Sequence, residues 1–155
     1  MNTRILALIA AVCVVASLFF PWVSVGFGES VVPWDSISQM SSTDLSKALE
    51  SAPLEGWVFA ASFVLSAVFV LATVLGIEGK ALAILAGAAP VGLVGWGLYS
   101  VFSGYQSSGL PIPPMNDLST MASEALKVFG AGLWAWIGGG TALFVLGIFD
   151  SGRSR

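Results

Sequence analysis

Ser17, Ser62, Ser66, Thr73, Thr141 and the thiol of Cys13 are the candidate nucleophiles within the long apolar runs of this chain. A hydroxyl attacks a substrate only when a neighbouring base takes its proton, and a thiol only when its surroundings favour the thiolate. Their runs hold no lysine or carboxylate, and the chain has no histidine at all. That absence also removes the commonest zinc and haem ligand and the side chain that titrates near neutral pH. Outside the runs the acids show no ligand-like spacing, Glu29 and Asp35 being the pair a fold could bring together. The expectation is a chain with no catalytic, cofactor-binding or metal-ligating residues, and not an enzyme. Cys13 has no second cysteine to pair with and reads as a small buried hydrophobe.

The elements around these groups explain why polar chemistry is so sparse. Of 155 residues 56% are hydrophobic and only 10% charged, more apolar side chain than a core of this size can hide, so lipid must solvate the rest. Four charge-free stretches, Ile5–Val25, Trp57–Ile77, Ala81–Phe102 and Val128–Phe149, each reach the roughly 18–20 residues needed to cross ~30 Å of hydrocarbon. The predicted fold is therefore an all-α integral membrane protein, a four-transmembrane-helix bundle forming a single membrane domain. A loop over 26–56, a turn at 78–80, a second loop over 103–127 and a tail at 150–155 connect and end the spans. The first stretch follows Arg4 as a secretory signal would. It runs on past the usual ~7–15 apolar residues without a small-x-small cleavage site, and a retained span is expected.

Orientation follows from the flanking cations. Arg4, Lys80, Arg153 and Arg155 fall on one side; Lys47 and Lys127 share the other with seven acids, Glu29, Asp35, Asp44, Glu50, Glu55, Asp117 and Glu124. The positive-inside rule then puts both termini in the cytoplasm and the loops outside, in a cytoplasmic (plasma) membrane. Trp22, Trp57, Trp96, Tyr99 and Trp134 lie near the outer ends, where an interfacial aromatic belt is expected. A net charge of −3 without a basic run argues against a nucleic-acid partner.

Both loops carry helix signals. In the first, Ser41 and Asp44 have capping-box spacing ahead of Leu45, Ala48, Leu49 and Ala52, a stripe that Pro53 ends. In the second, Pro111, Pro113 and Pro114 give an extended entry, after which Asn116 or Asp117 caps a helix with Leu118, Met121, Ala122, Ala125 and Phe129 on one face. Gly26, Gly28, Val31, Val32, Pro33 and Trp34 read as a short β-like excursion, with Trp34 the candidate exposed anchor. The two short helices are expected to fold over the outer end of the bundle.

Small residues mark where helices approach one another in lipid. They stand at Ala7 and Ala11 on the first span and Ser62 and Ser66 on the second. The third has Ala83, Gly87, Ala88 and Gly92, and the fourth Ala131, Ala135 and the Gly138–Gly140 run. This exceeds what one four-helix bundle needs, so Trp34, Ala83, Gly87, Gly92, Ala135 and Gly139 are the candidate interaction residues.

The chain also repeats itself at a period near 75 residues: Arg4–Ala10 lies on Lys80–Ala86 at an offset of 76, Asp44–Ser46 on Asp117–Ser119 at 73, and Ala67–Leu71 on Ala142–Leu146 at 75. Two tandem helix–loop–helix units of one orientation would be related by an axis along the membrane normal, unlike inverted repeats.

Four spans, a long first outer loop, a shorter second one and cytoplasmic ends resemble the claudin-type tetraspan layout. The resemblance is one of topology alone, because the tryptophan and paired cysteines of the claudin first loop have no counterpart here. It implies no residue role and no activity.

The expected function is that of a non-catalytic accessory, assembly or scaffolding subunit. It would act through helix–helix and outer-loop contacts with other integral membrane proteins, or with itself. The alternative is a channel or carrier for a small uncharged or lipophilic molecule. Lack of an ionisable group inside the spans counts against ion transport. A lipid-modifying or quinone-handling protein is a third option, and would need an apolar pocket open to the bilayer.

Overall fold

The computed structural model describes residues 3–25, 29–77, 79–107, 123 and 128–149. Helix α1, Thr3–Ala16, continues through a 3₁₀ turn, Ser17–Phe19, and is followed by a two-stranded antiparallel hairpin, β1 (Val23–Val25) and β2 (Glu29–Val31). Two short helices come next, α2 (Pro33–Ser38) and α3 (Ser42–Ser51), then three long ones: α4 (Leu54–Val74), α5 (Lys80–Ser107) and α6 (Ala131–Phe149). In the hairpin Val23 pairs with Val31, Ser24 with Ser30 and Val25 with Glu29.

Among the described residues three helices are long and apolar enough to span a membrane: α4 with 21 residues, the Lys80–Val101 part of α5 with 22, and α6 with 19. The first helix is shorter than the run Ile5–Val25 led one to expect, because Thr3–Phe19 is where its helical backbone ends. Pro21 is the physical reason. The ring of a proline disfavours the α region for the residue before it, and Phe20 is extended at φ −105° and ψ 156°. Residues 23–25 then leave as a strand. The other spans shift by a few residues: α4 begins at Leu54 rather than Trp57, directly after Pro53, and α6 begins at Ala131 after Gly130.

The closest helix pairings run around a ring, α1 to α4, α4 to α5, α5 to α6 and α6 back to α1. The core that they enclose includes Ala11, Val14, Phe63, Phe69, Ala86, Trp136 and Leu143. One end of the ring carries the hairpin with α2 and α3, and is called here the hairpin end. At the opposite, turn end α4 closes with Gly76 at φ +80°, where the Ile77 N–H donates to Ala72 O at 2.9 Å and the Gly76 N–H to Thr73 O at 3.2 Å. This left-handed cap satisfies carbonyls that the helix end would leave bare. The Arg4 guanidinium adds a donor to Thr73 O at 3.0 Å, placing a cation at the negative end of the α4 dipole.

Half of the capping box forms: the Asp44 N–H donates to Ser41 Oγ at 3.2 Å, while the Asp44 carboxylate accepts from the Ser41 hydroxyl at 2.6 Å rather than from the Ser41 N–H, and α3 follows. Pro33 and Trp34, expected in a β-like stretch, instead open α2, with proline in the first turn where its missing N–H costs nothing. The expected second-loop helix lies almost wholly outside the described residues, as do Pro111, Pro113, Pro114, Asn116 and Asp117.

Candidate functional site

Three features of the ring could serve a function: an aromatic plug at the hairpin end, the seams that use the small residues, and a lateral groove between α4 and α5. The plug comes from three elements. Phe59 and Phe63 stand one turn apart on α4, Trp136 projects from α6, and Trp22 enters from the segment after α1. Ring centroids lie at 5.3 Å for Trp22–Phe59, 5.5 Å for Trp22–Trp136 and 5.0 Å for Phe59–Phe63, the first and last nearly edge-to-face. Such contacts add about 0.5–1.5 kcal/mol each beyond buried area.

Both indole N–H groups are satisfied. Trp136 Nε1 donates to Ser62 Oγ at 3.1 Å and Trp22 Nε1 to Ser17 O at 2.7 Å. The hydroxyls are engaged in turn: Ser17 donates to Val14 O at 2.6 Å, Ser62 to Phe59 O at 2.6 Å and Ser66 to Ser62 O at 2.7 Å. Among the described residues no buried side-chain polar atom lacks a partner, and no three acids or cysteines gather where a metal could sit. This network ties backbone to side chain, and offers no base to any of these hydroxyls.

Trp22 is thus an inward-facing residue rather than a member of an outer aromatic belt. The other four expected there, Trp57, Trp96, Tyr99 and Trp134, are exposed. Sequence reasoning missed Trp136, yet a signal existed: it shares a stripe with Gly132, Gly139, Gly140, Leu143 and Gly147, all buried on α6. A tryptophan within a run of packing glycines fills a space that those glycines open.

Around the plug, the chain after α1 is sewn to the start of α6. The Trp22 N–H donates to Val31 O at 2.9 Å, the Gly130 N–H to Trp22 O at 2.8 Å and the Gly132 N–H to Pro21 O at 2.9 Å, with Val23 bridged to Phe129. Residues 21–25 therefore lie between β2 and the approach to α6. Gly130 and Gly132 are needed for this closeness: a Cβ on Gly130 would strike the Pro21 carbonyl, and one on Gly132 would lie 2.7 Å from Phe20 O.

The small-residue candidates divide. Gly139 faces α1, where a Cβ would sit 2.8 Å from Ala10 O. Gly87 faces α6, with Gly140 O at 2.6 Å from its hypothetical Cβ, and Gly140 in turn receives the Pro90 ring. Ala83 is buried and Ala135 half-buried. Ala83, Gly87 and Gly139 are thus used within the chain's own bundle. Gly92 is exposed, and a Cβ there would meet nothing within 4 Å. Trp34 is 45% exposed and rests on Phe19 at a centroid distance of 5.1 Å.

The groove lies beside Gly92. Leu54, Glu55 and Val58 on α4 and Gly92, Leu93 and Trp96 on α5 line a cavity of about 220 Å³ that is open to the side.

The chain matches no family model, no curated protein and no solved structure.

Beyond the groove α5 makes little use of its own bundle: all residues from Gly95 to Val101 are exposed. Glu29, the acid that a fold could bring to Asp35, has a side chain outside the described residues, and Asp35 is exposed in the first turn of α2.

Proposed function

We propose that this chain is a four-span integral membrane protein with both termini cytoplasmic, acting without catalysis as an accessory, assembly or scaffolding subunit of a larger membrane complex. The observation that carries the reading is the contrast between a filled, internally satisfied ring and the apolar surface left on α5. Trp136 crosses the ring from α6 to α4, so the middle is occupied by side chain. Meanwhile Trp96, Leu98, Tyr99 and Val101 are each more than half exposed. A helix apolar on every side is suited to lipid or to partner helices.

The fourth span in this reading is α1. Its 14 α-helical residues and 3 in the 3₁₀ turn reach about 25 Å, near the lower limit for a crossing. Arg4 and Lys80 share the turn end, which the charge bias assigns to the cytoplasm. The ring order also suits a tandem repeat, since exchanging α1 with α5 and α4 with α6 preserves every neighbour relation.

A channel or carrier would run through the middle of the ring, where Trp136 and Phe63 are packed, so the subunit reading is preferred. Mild solubilisation of native membranes, native mass measurement and identification of co-purifying proteins test it. A stable complex with another membrane protein is expected. A lone monomer in every mild detergent would overturn the reading.

A further inference from the structure

We propose that the groove between α4 and α5 holds one phospholipid with a primary-ammonium headgroup, its acyl chain over Gly92 and its ammonium on the Glu55 carboxylate. The proposal rests on the membrane placement argued above. The walls are apolar, made by Leu54, Val58 and Leu93, and the floor is open because Gly92 brings no side chain into a space where a Cβ would meet nothing. The one charge on the lining is Glu55, which has no ion pair among the described residues. An apolar slot with a carboxylate at its lip fits a molecule with an apolar body and an ammonium at the end of its headgroup.

Size and position choose the occupant. A volume of about 220 Å³ equals roughly seven water molecules at ~30 Å³ each, enough for a length of hydrocarbon chain but not for a helix ~10 Å across. Glu55 is the second residue of α4, at the hairpin end, where headgroups would stand. The slot descends about 6 Å, the rise of the four residues from Leu54 to Val58. That depth takes the first carbons of an acyl chain.

Trp96, 55% exposed at the edge, would lie against the lipid and favour an ammonium over an anionic head. A primary ammonium donates hydrogen bonds to the carboxylate, whereas a trimethylated choline cannot. Phosphatidylethanolamine fits this description better than phosphatidylcholine or phosphatidylglycerol.

The test uses the full chain in lipid nanodiscs of equal parts dioleoyl phosphatidylethanolamine, phosphatidylcholine and phosphatidylglycerol. Mild release is followed by native mass spectrometry. One phosphatidylethanolamine should be retained about tenfold over the others, the size of one charge-assisted hydrogen bond. Glu55→Gln should abolish the headgroup preference, and Gly92→Leu should lower retention of all three lipids. Gly138→Leu, the same change at an exposed glycine of α6 with open space around it, should behave as the unsubstituted chain. Equal retention of the three lipids, or a preference surviving both Glu55→Gln and Gly92→Leu, would overturn the lipid site alone. A chain that stays out of the discs would overturn the membrane reading with it.

Discussion

The indole of Trp136 donates to the hydroxyl of Ser62 at 3.1 Å, joining the two helices that face each other across the ring. The Ser62 hydroxyl donates in turn to Phe59 O at 2.6 Å, so the contact is a relay of hydrogen bonds from α6 into the α4 backbone. Removing the two partners should not be equivalent. Trp136→Phe leaves Ser62 bonded to Phe59 and should cost about 0.5–1.5 kcal/mol beyond the loss of ring area. Ser62→Ala strands a buried N–H and should cost about 1–3 kcal/mol. Unfolding of the detergent-solubilised chain measures both. A Ser62→Ala variant as stable as the parent would show that the relay contributes nothing.

Close packing at the α5–α6 seam makes a second prediction. A Cβ on Gly140 would lie 2.6 Å from the Pro90 ring, while one on Gly138 would meet nothing within 4 Å. Gly140→Ala should therefore overpack the seam and destabilise by about 1–3 kcal/mol. Gly138→Ala should be neutral or stabilise by up to ~1 kcal/mol, the difference in helix propensity. The same unfolding measurement separates them, and equal effects would contradict the seam.

The seam was only partly legible in the residues. The three helices long enough to span a membrane were legible from charge-free runs alone, because nothing but a helix satisfies the peptide groups of a lone segment in hydrocarbon. Gly87 and Gly139 could be marked as packing positions, but their spacing does not tell an internal neighbour from an external one. Apolar composition also hid the end of α1: Trp22 and Val23 suit a helix in lipid and a strand equally well. Pro21 was the clue, since it disfavours helix at Phe20. Trp136 went unmarked because belt and core tryptophans have the same composition, and only the ring geometry brings it to Ser62.

At the hairpin end, Gly132→Ala places a methyl group against Trp22, whose indole leans on that glycine. Trp22 should be pushed from the aromatic plug, breaking its bond to Ser17 O and loosening the strand between β2 and Gly130. Faster hydrogen exchange at the Trp22 and Gly132 amides and a red-shifted tryptophan emission are expected. Unchanged exchange at both amides would refute the coupling of α6 to the hairpin.

Gly76 carries a different kind of constraint. A Cβ there would touch nothing within 4 Å, yet φ is +80°, where L side chains are strained. Gly76→Ala should cost about 1 kcal/mol through backbone conformation alone, and Gly76→Asn less, because asparagine tolerates the left-handed region. Thermal unfolding in detergent should rank the parent first, then Asn, then Ala. An alanine variant equal to the parent would mean that the cap relaxes at no cost.

Crossing number and orientation can be read from one cysteine series, because Cys13 is the chain's single thiol and Cys13→Ser gives a blank background. Ser46 is exposed on α3, Ile77 is exposed at the turn end, and Thr3 is exposed where α1 begins. If four spans cross with cytoplasmic termini, a membrane-impermeant maleimide should label Ser46→Cys in intact cells. Ile77→Cys and Thr3→Cys should react only after permeabilisation. Thr3 is the decisive position, since α1 is the shortest of the four ring helices. Labelling of Thr3→Cys from outside, with Ile77→Cys still protected, would leave three crossings and put the N-terminus on the side of the hairpin. Labelling of Ile77→Cys and protection of Ser46→Cys would instead keep the ring and reverse it, against the bias of Arg4 and Lys80.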